Sequence, residues 1–98
     1  MEKTIDFRFH DTDLKIYQER YQSNNNLALT VYTEDHEPYM TISVNVGVPL
    51  EKDEFYCKNY SENTGVLDAL VEQNIIKCTD DYLHFGQCKL FKCKLITV

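Results

Sequence analysis

Residues 27–46, LALTVYTEDHEPYMTISVNV, carry the pattern that most limits what this chain can fold into. Leu27, Leu29 and Val31 alternate with Ala28, Thr30 and Tyr32; past a polar link, Met40, Ile42, Val44 and Val46 alternate with Tyr39, Thr41, Ser43 and Asn45. Side chains of a strand point to opposite faces in turn, so a period of two predicts a half-buried strand in each run. Two such runs joined by a short polar link predict an antiparallel hairpin. Leu29, Val31, Ile42 and Val44 are then expected on one buried face.

The rest of the chain extends this pattern. TIDFRF (4–9) alternates Ile5, Phe7 and Phe9 with Asp6 and Arg8, LKIYQERYQ (14–22) alternates less regularly, and NNN (24–26) reads as a turn. GVPLEKDE (47–54) reads as a loop and FYCK (55–58) as a short strand. SENTGVLDALVEQN (61–74) reads as the one helix, with Ser61, Asn63 or Thr64 as its cap and Asn74 as its stop. Its apolar stripe, Val66, Leu67, Leu70 and Val71, has helical spacing, and Leu67, Leu70 and Val71 are expected to cover the hairpin. IIKC (75–78), a turn at TDD (79–81) and YLHFGQCKLFKCKLI (82–96) complete a β-rich chain, with Phe91, Cys93 and Leu95 on one face. The expected fold class is α+β: a mostly antiparallel sheet with one helix packed on one face.

A chain of 98 residues fits a single domain, 1–98, and 43% apolar residues suffice for a core without disulfides or metal. The start, MEKTIDFRFH, lacks the apolar stretch of a secretory signal, and no run is long enough to span a membrane. A cytoplasmic location is therefore expected, with Cys57, Cys78, Cys88 and Cys93 as free thiols.

Charge is informative by position. The formal net charge is −6, and residues 34–54 hold Glu34, Asp35, Glu37, Glu51, Asp53 and Glu54 against Lys52 alone. Residues 87–98 hold Lys89, Lys92 and Lys94 and no acid. An acidic surface of this kind repels nucleic acid and steers a basic partner. Tyr17, Tyr21, Tyr56 and Tyr60 lack the interleaved basic residues that nucleic-acid binding needs. Direct nucleic-acid binding is therefore not expected.

No catalytic or metal constellation competes with this reading. Zinc sites pair close ligands, whereas Cys88 and Cys93 lie five apart and fall on opposite faces of a strand. Nothing places His10, His36 or His84 beside a cysteine to act as a base. TEDHEPY lacks the alternating ligands and central glycine of a calcium loop and reads as a hairpin turn. Its acids lie close to two tyrosines, Tyr32 and Tyr39.

The acidic turn, proline and strand of YTEDHEPYMTISVNV, followed by PLEKDEFY and one short helix, resemble an uncharacterised family of small proteins. Its members are encoded on plasmids, phages and conjugative elements of Gram-positive bacteria. The resemblance covers roughly residues 27–95; the segment 1–22 is where this chain differs. The family offers no catalytic residues to carry over. It implies an accessory protein of mobile DNA, a class that often disables host defence enzymes. The function expected is therefore a non-enzymatic, cofactor-free protein-binding module of the anti-restriction or anti-CRISPR type. It would use Tyr32, Glu34, Asp35, Glu37, Tyr39, Asp53 and Glu54 against a basic nucleic-acid-binding partner such as a nuclease. The alternative is a small enzyme or zinc-dependent module using the Cys and His residues.

Overall fold

The computed structural model describes residues 4–59, 63 and 65–96, the side chains of Asp80 and Phe85 excepted. In chain order the elements are β1 (Thr4–Phe9), β2 (Thr12–Arg20), β3 (Leu27–Thr33), β4 (Pro38–Thr41), β5 (Ser43–Val44), β6 (Glu54–Cys57), α1 (Val66–Glu72), β7 (Ile76–Phe85) and β8 (Cys88–Leu95). The chain is α+β and mostly antiparallel, as its periodicity predicts, but it builds two four-stranded sheets. One has the order β1-β2-β3-β4, the other β5-β6-β8-β7.

The first sheet follows directly from alternation and turn chemistry. Ile5, Phe7 and Phe9 of β1 and Leu14 and Ile16 of β2 are buried on one face, with Leu29 and Val31 of β3. β1 turns into β2 through His10 and Asp11, both at positive φ (52° and 58°). Two consecutive left-handed residues match the right-handed twist of the flanking strands. The predicted hairpin of β3 and β4 also forms, pairing Val31 with Met40 and Thr30 with Thr41.

The second run of that hairpin is not one strand. It leaves the first sheet after Thr41 and joins the second at Ser43, with Ile42 as the crossover. The Ile42 N–H still donates to the Leu29 carbonyl (2.9 Å), while its carbonyl accepts from the Lys58 N–H (2.7 Å). In a regular ladder that carbonyl would accept from Leu29. The Leu29 N–H donates instead to Ser43 Oγ (2.9 Å), which also bonds the Tyr21 hydroxyl (2.9 Å). Ser43, expected on the outer face, is accordingly only 4% exposed.

Both sheets face one core, to which the second contributes Phe55, Cys57, Ile76, Cys93 and Leu95. Helix α1 packs against β1 and β7, so it spans the gap between the first and last strands of the two sheets. It is shorter than predicted. Gly65 at φ 90° occupies the cap position without a side-chain cap, and the Leu67 N–H is satisfied by Asn59 Oδ1 (3.1 Å). Of the predicted caps, Ser61 and Thr64 lie outside the described residues, and Asn63 donates to the Thr41 carbonyl (2.8 Å). Leu67 and Leu70 are buried, but Val71 is 41% exposed because it sits past the edge of the packed stripe. Asn74 at φ 60° ends the helical path, as expected. Gln73 lies against β1: its Oε1 accepts from the Arg8 N–H (3.0 Å) and its Nε2 donates to the Arg8 carbonyl (2.7 Å).

TDD is not a turn. Residues 79–81 lie inside β7, where the register against β8 shifts between Cys78 and Tyr82, and the reversal comes later at Gly86 and Gln87. Thr79 Oγ1, donating to the Lys92 carbonyl (2.8 Å), ties down the irregular segment.

Ser43→Ala leaves the buried Leu29 N–H without its acceptor. Unfolding in urea should show a loss of about 1–3 kcal/mol with an unchanged slope.

Candidate functional site

The acidic link is a tight turn. The Thr33 N–H donates to the Glu37 carbonyl (2.9 Å) and the His36 N–H to the Thr33 carbonyl (3.0 Å). The Thr33 hydroxyl accepts from the Glu37 N–H (3.1 Å). His36 holds the left-handed position at φ 65°, a place that glycine fills with less strain. This geometry leaves Glu34, Asp35 and Glu37 exposed at the hairpin tip.

From that position the His36 ring reaches the solvent face of the first sheet, where its Nδ1 meets the Tyr17 hydroxyl at 3.2 Å. The Tyr17 and Tyr32 rings pack edge to face, with centroids 5.0 Å apart at 70°. Beside them the Thr30 hydroxyl donates to Glu19 Oε1 (2.9 Å). Tyr17, Glu19, Tyr32 and His36 line an open cleft of about 210 Å³. Tyr39 lies on β4, 38% exposed, and with Tyr32 and Met40 lines a second cleft of about 180 Å³.

Five of the seven residues singled out in the sequence thus belong to one hairpin: Tyr32, Glu34, Asp35, Glu37 and Tyr39. Asp53 and Glu54 do not join them. Asp53 shares a cleft with Leu27, at the opposite end of β3 from Thr33, and seven strand residues span about 20 Å. The Glu54 side chain is 12% exposed; its carboxylate accepts from the Glu51 N–H (2.9 Å) and pairs with Lys92 (3.5 Å). Tyr17, Glu19 and His36 were absent from the expected set. Their signal was parity: Tyr17 and Glu19 alternate with Leu14 and Ile16 and so belong on the outer face.

Elsewhere on that face acids and bases are matched. Arg8 pairs with Asp13 (2.8 Å), and Lys15 pairs with Asp6, whose carboxylate holds the lysine above its ordinary pKa. Among the described residues, Glu34, Asp35 and Glu37 make no ion pair.

Among the described residues, the contacts of the histidine rings are with aromatic side chains rather than with thiols. His10 packs on Phe9, with ring centroids 4.0 Å apart, and His84 packs on Tyr82 at 5.6 Å. All four cysteines are free thiols. Cys57, Cys78 and Cys93 nevertheless converge on the strand trio β6-β8-β7, although nothing in their sequence spacing suggests it. Among the described residues, no group of three or more His, Cys, Asp or Glu side chains could hold a metal ion.

No protein-family model, curated protein or solved structure matches the chain. No helix among the described residues is long and apolar enough to cross a membrane.

His36→Gly relieves the strain of a side chain at a left-handed position and removes one exposed hydrogen bond, two effects of opposite sign. Urea unfolding should therefore place its stability within about 1 kcal/mol of the parent.

Proposed function

We propose that the protein is a non-enzymatic binding module that recognises a basic, nucleic-acid-handling protein through the β3–β4 hairpin. The observation that carries this reading is the set of three exposed carboxylates, Glu34, Asp35 and Glu37, on a hydrogen-bonded turn beside half-buried Tyr17 and Tyr32 and exposed Tyr39. Carboxylates held at short spacing can engage the arginines and lysines that a nuclease presents to phosphates. Tyr17, Tyr32 and Tyr39 supply apolar area and hydroxyls with little rotamer entropy to lose, and their ring faces attract cations. Asp53 and Glu54 stand apart from this surface.

The setting proposed for this activity is the cytoplasm of a bacterial host carrying mobile DNA, where the target would be a restriction or RNA-guided nuclease. The resemblance of YTEDHEPYMTISVNV and PLEKDEFY to proteins of plasmids and phages supports that setting. Occupying a phosphate-binding groove would block the nuclease without chemistry on the part of the inhibitor.

The test is binding kinetics against purified restriction and RNA-guided nucleases at two ionic strengths. Glu34, Asp35 and Glu37 changed together to Lys should leave the melting midpoint nearly unchanged, since exposed turn charges contribute little to stability. The same variant should associate about tenfold more slowly or worse, and parent association should slow as salt rises. A triple variant that binds as fast and as tightly as the parent would reduce the acidic tip to a solvated turn.

A further inference from the structure

Cys78 of β7 and Cys93 of β8 are direct cross-strand partners, with their sulfurs 3.8 Å apart. Opposed residues of an antiparallel pair have Cα atoms about 4.5–5.5 Å apart, within the span of a disulfide. Side-chain rotation can therefore bring the sulfurs together while the ladder stays in place. The two thiols differ in access: Cys78 is exposed, whereas Cys93 is 0% exposed. Cys57 of β6 is equally buried and lies on the other side of Cys93, its thiol directed at the Lys58 carbonyl (3.8 Å). Cys88 lies five residues from Cys93 on β8 and so points to the opposite face. An oxidant arriving from solvent thus meets one member of the trio, and that thiol has one partner directly opposite.

We propose that Cys78 and Cys93 are a reversible disulfide pair, Cys78 reacting with the oxidant and Cys93 resolving it. With hydrogen peroxide, the Cys78 thiolate attacks one oxygen and the O–O bond breaks. The departing hydroxide takes a proton to become water, and Cys78 becomes a sulfenic acid. The Cys93 sulfur then attacks the sulfenic sulfur; the S–O bond breaks, and the hydroxyl leaves with the Cys93 proton as a second water. Two thiols and one peroxide give one disulfide and two waters, and a thiol reductant reverses the bond by exchange.

The surroundings set the rate. Loss of solvent around the sulfur, the neighbouring Cys93 thiol and the Asp68 carboxylate of α1 push Cys78 up to about 11. The neighbouring Cys57 thiol and burial also raise Cys93. Little Cys78 thiolate exists at neutral pH, so oxidation is slow there and quickens about tenfold per pH unit. The bond would lock the last regular pair before the register shift between Cys78 and Tyr82.

The folded protein is treated with hydrogen peroxide between roughly pH 7 and pH 9, alkylated, and mapped by mass spectrometry without reduction. The expected result is a Cys78–Cys93 linked peptide, formed about tenfold faster per pH unit and lost on adding dithiothreitol. Cys78→Ser, a change at an exposed position, should stay folded and give no cross-link. Cys88→Ser should cross-link as the parent does. The proposal is overturned if Cys78 goes on to sulfinic acid without joining Cys93, or if no thiol reacts. A link between Cys57 and Cys93 that forms equally in the parent and in Cys78→Ser, or a rate independent of pH, overturns it as well.

Discussion

At Ile42 a single residue serves two sheets. Its N–H stays in the ladder of the first, and its carbonyl bonds the Lys58 N–H beside the second. A strand that turns away mid-run exposes backbone groups in the core, and an unsatisfied buried N–H costs about 1–3 kcal/mol. Here each displaced group finds a substitute: Leu29 has the Ser43 hydroxyl, and the Thr41 carbonyl has the Asn63 amide. Ile42 itself is 0% exposed and anchors the bend in the shared core. Because the chain departs at this point, β4 remains short and its hairpin keeps an open outer face.

That open face is where matched and unmatched charge separate. Asp6 and Asp13 are each held by a base, so their fields are largely cancelled nearby. Among the described residues the three tip carboxylates form no ion pair, although the Glu34 charge adds to that of Asp6 at Lys15, and backbone hydrogen bonds of the turn keep the three close together. His36 is the joint between tip and face. Its left-handed backbone aims the ring at Tyr17, an orientation the flanking acids do not share. The strain at His36 thus coincides with the place where the acidic turn meets the tyrosines.

Strands were legible where one face of the chain is apolar. Ile5, Phe7 and Phe9, or Leu27, Leu29 and Val31, declare their side by parity alone. The crossover was illegible for the same reason: Ser43 in an alternating run reads as an outward residue, and only a second sheet makes its hydroxyl an inner one. From the sequence, Asp53 and Glu54 read as one surface with the hairpin because acids close in sequence look like one patch. Which end of β3 they approach depends on how the loop 47–53 returns, and periodicity does not encode that. Tyr17 could have been placed by counting from Leu14 and Ile16, but the polar run QER obscured the strand. The Cys78–Cys93 pairing required the register of β7 on β8, set by an irregular segment that reads as a turn.

Two open sheets have four outer strands, and each bears unpaired backbone groups that another chain could use as a template for aggregation. In β1 the Gln73 amide offers Arg8 a donor and an acceptor, the same two groups a neighbouring peptide unit would present. An incoming strand would have to expel this side chain before it could pair along β1. The other outer strands are defended more cheaply: β4 begins with Pro38, β5 is two residues long, and β7 is kinked beside Asp81. The edges of both sheets therefore give unrelated chains little to zip onto.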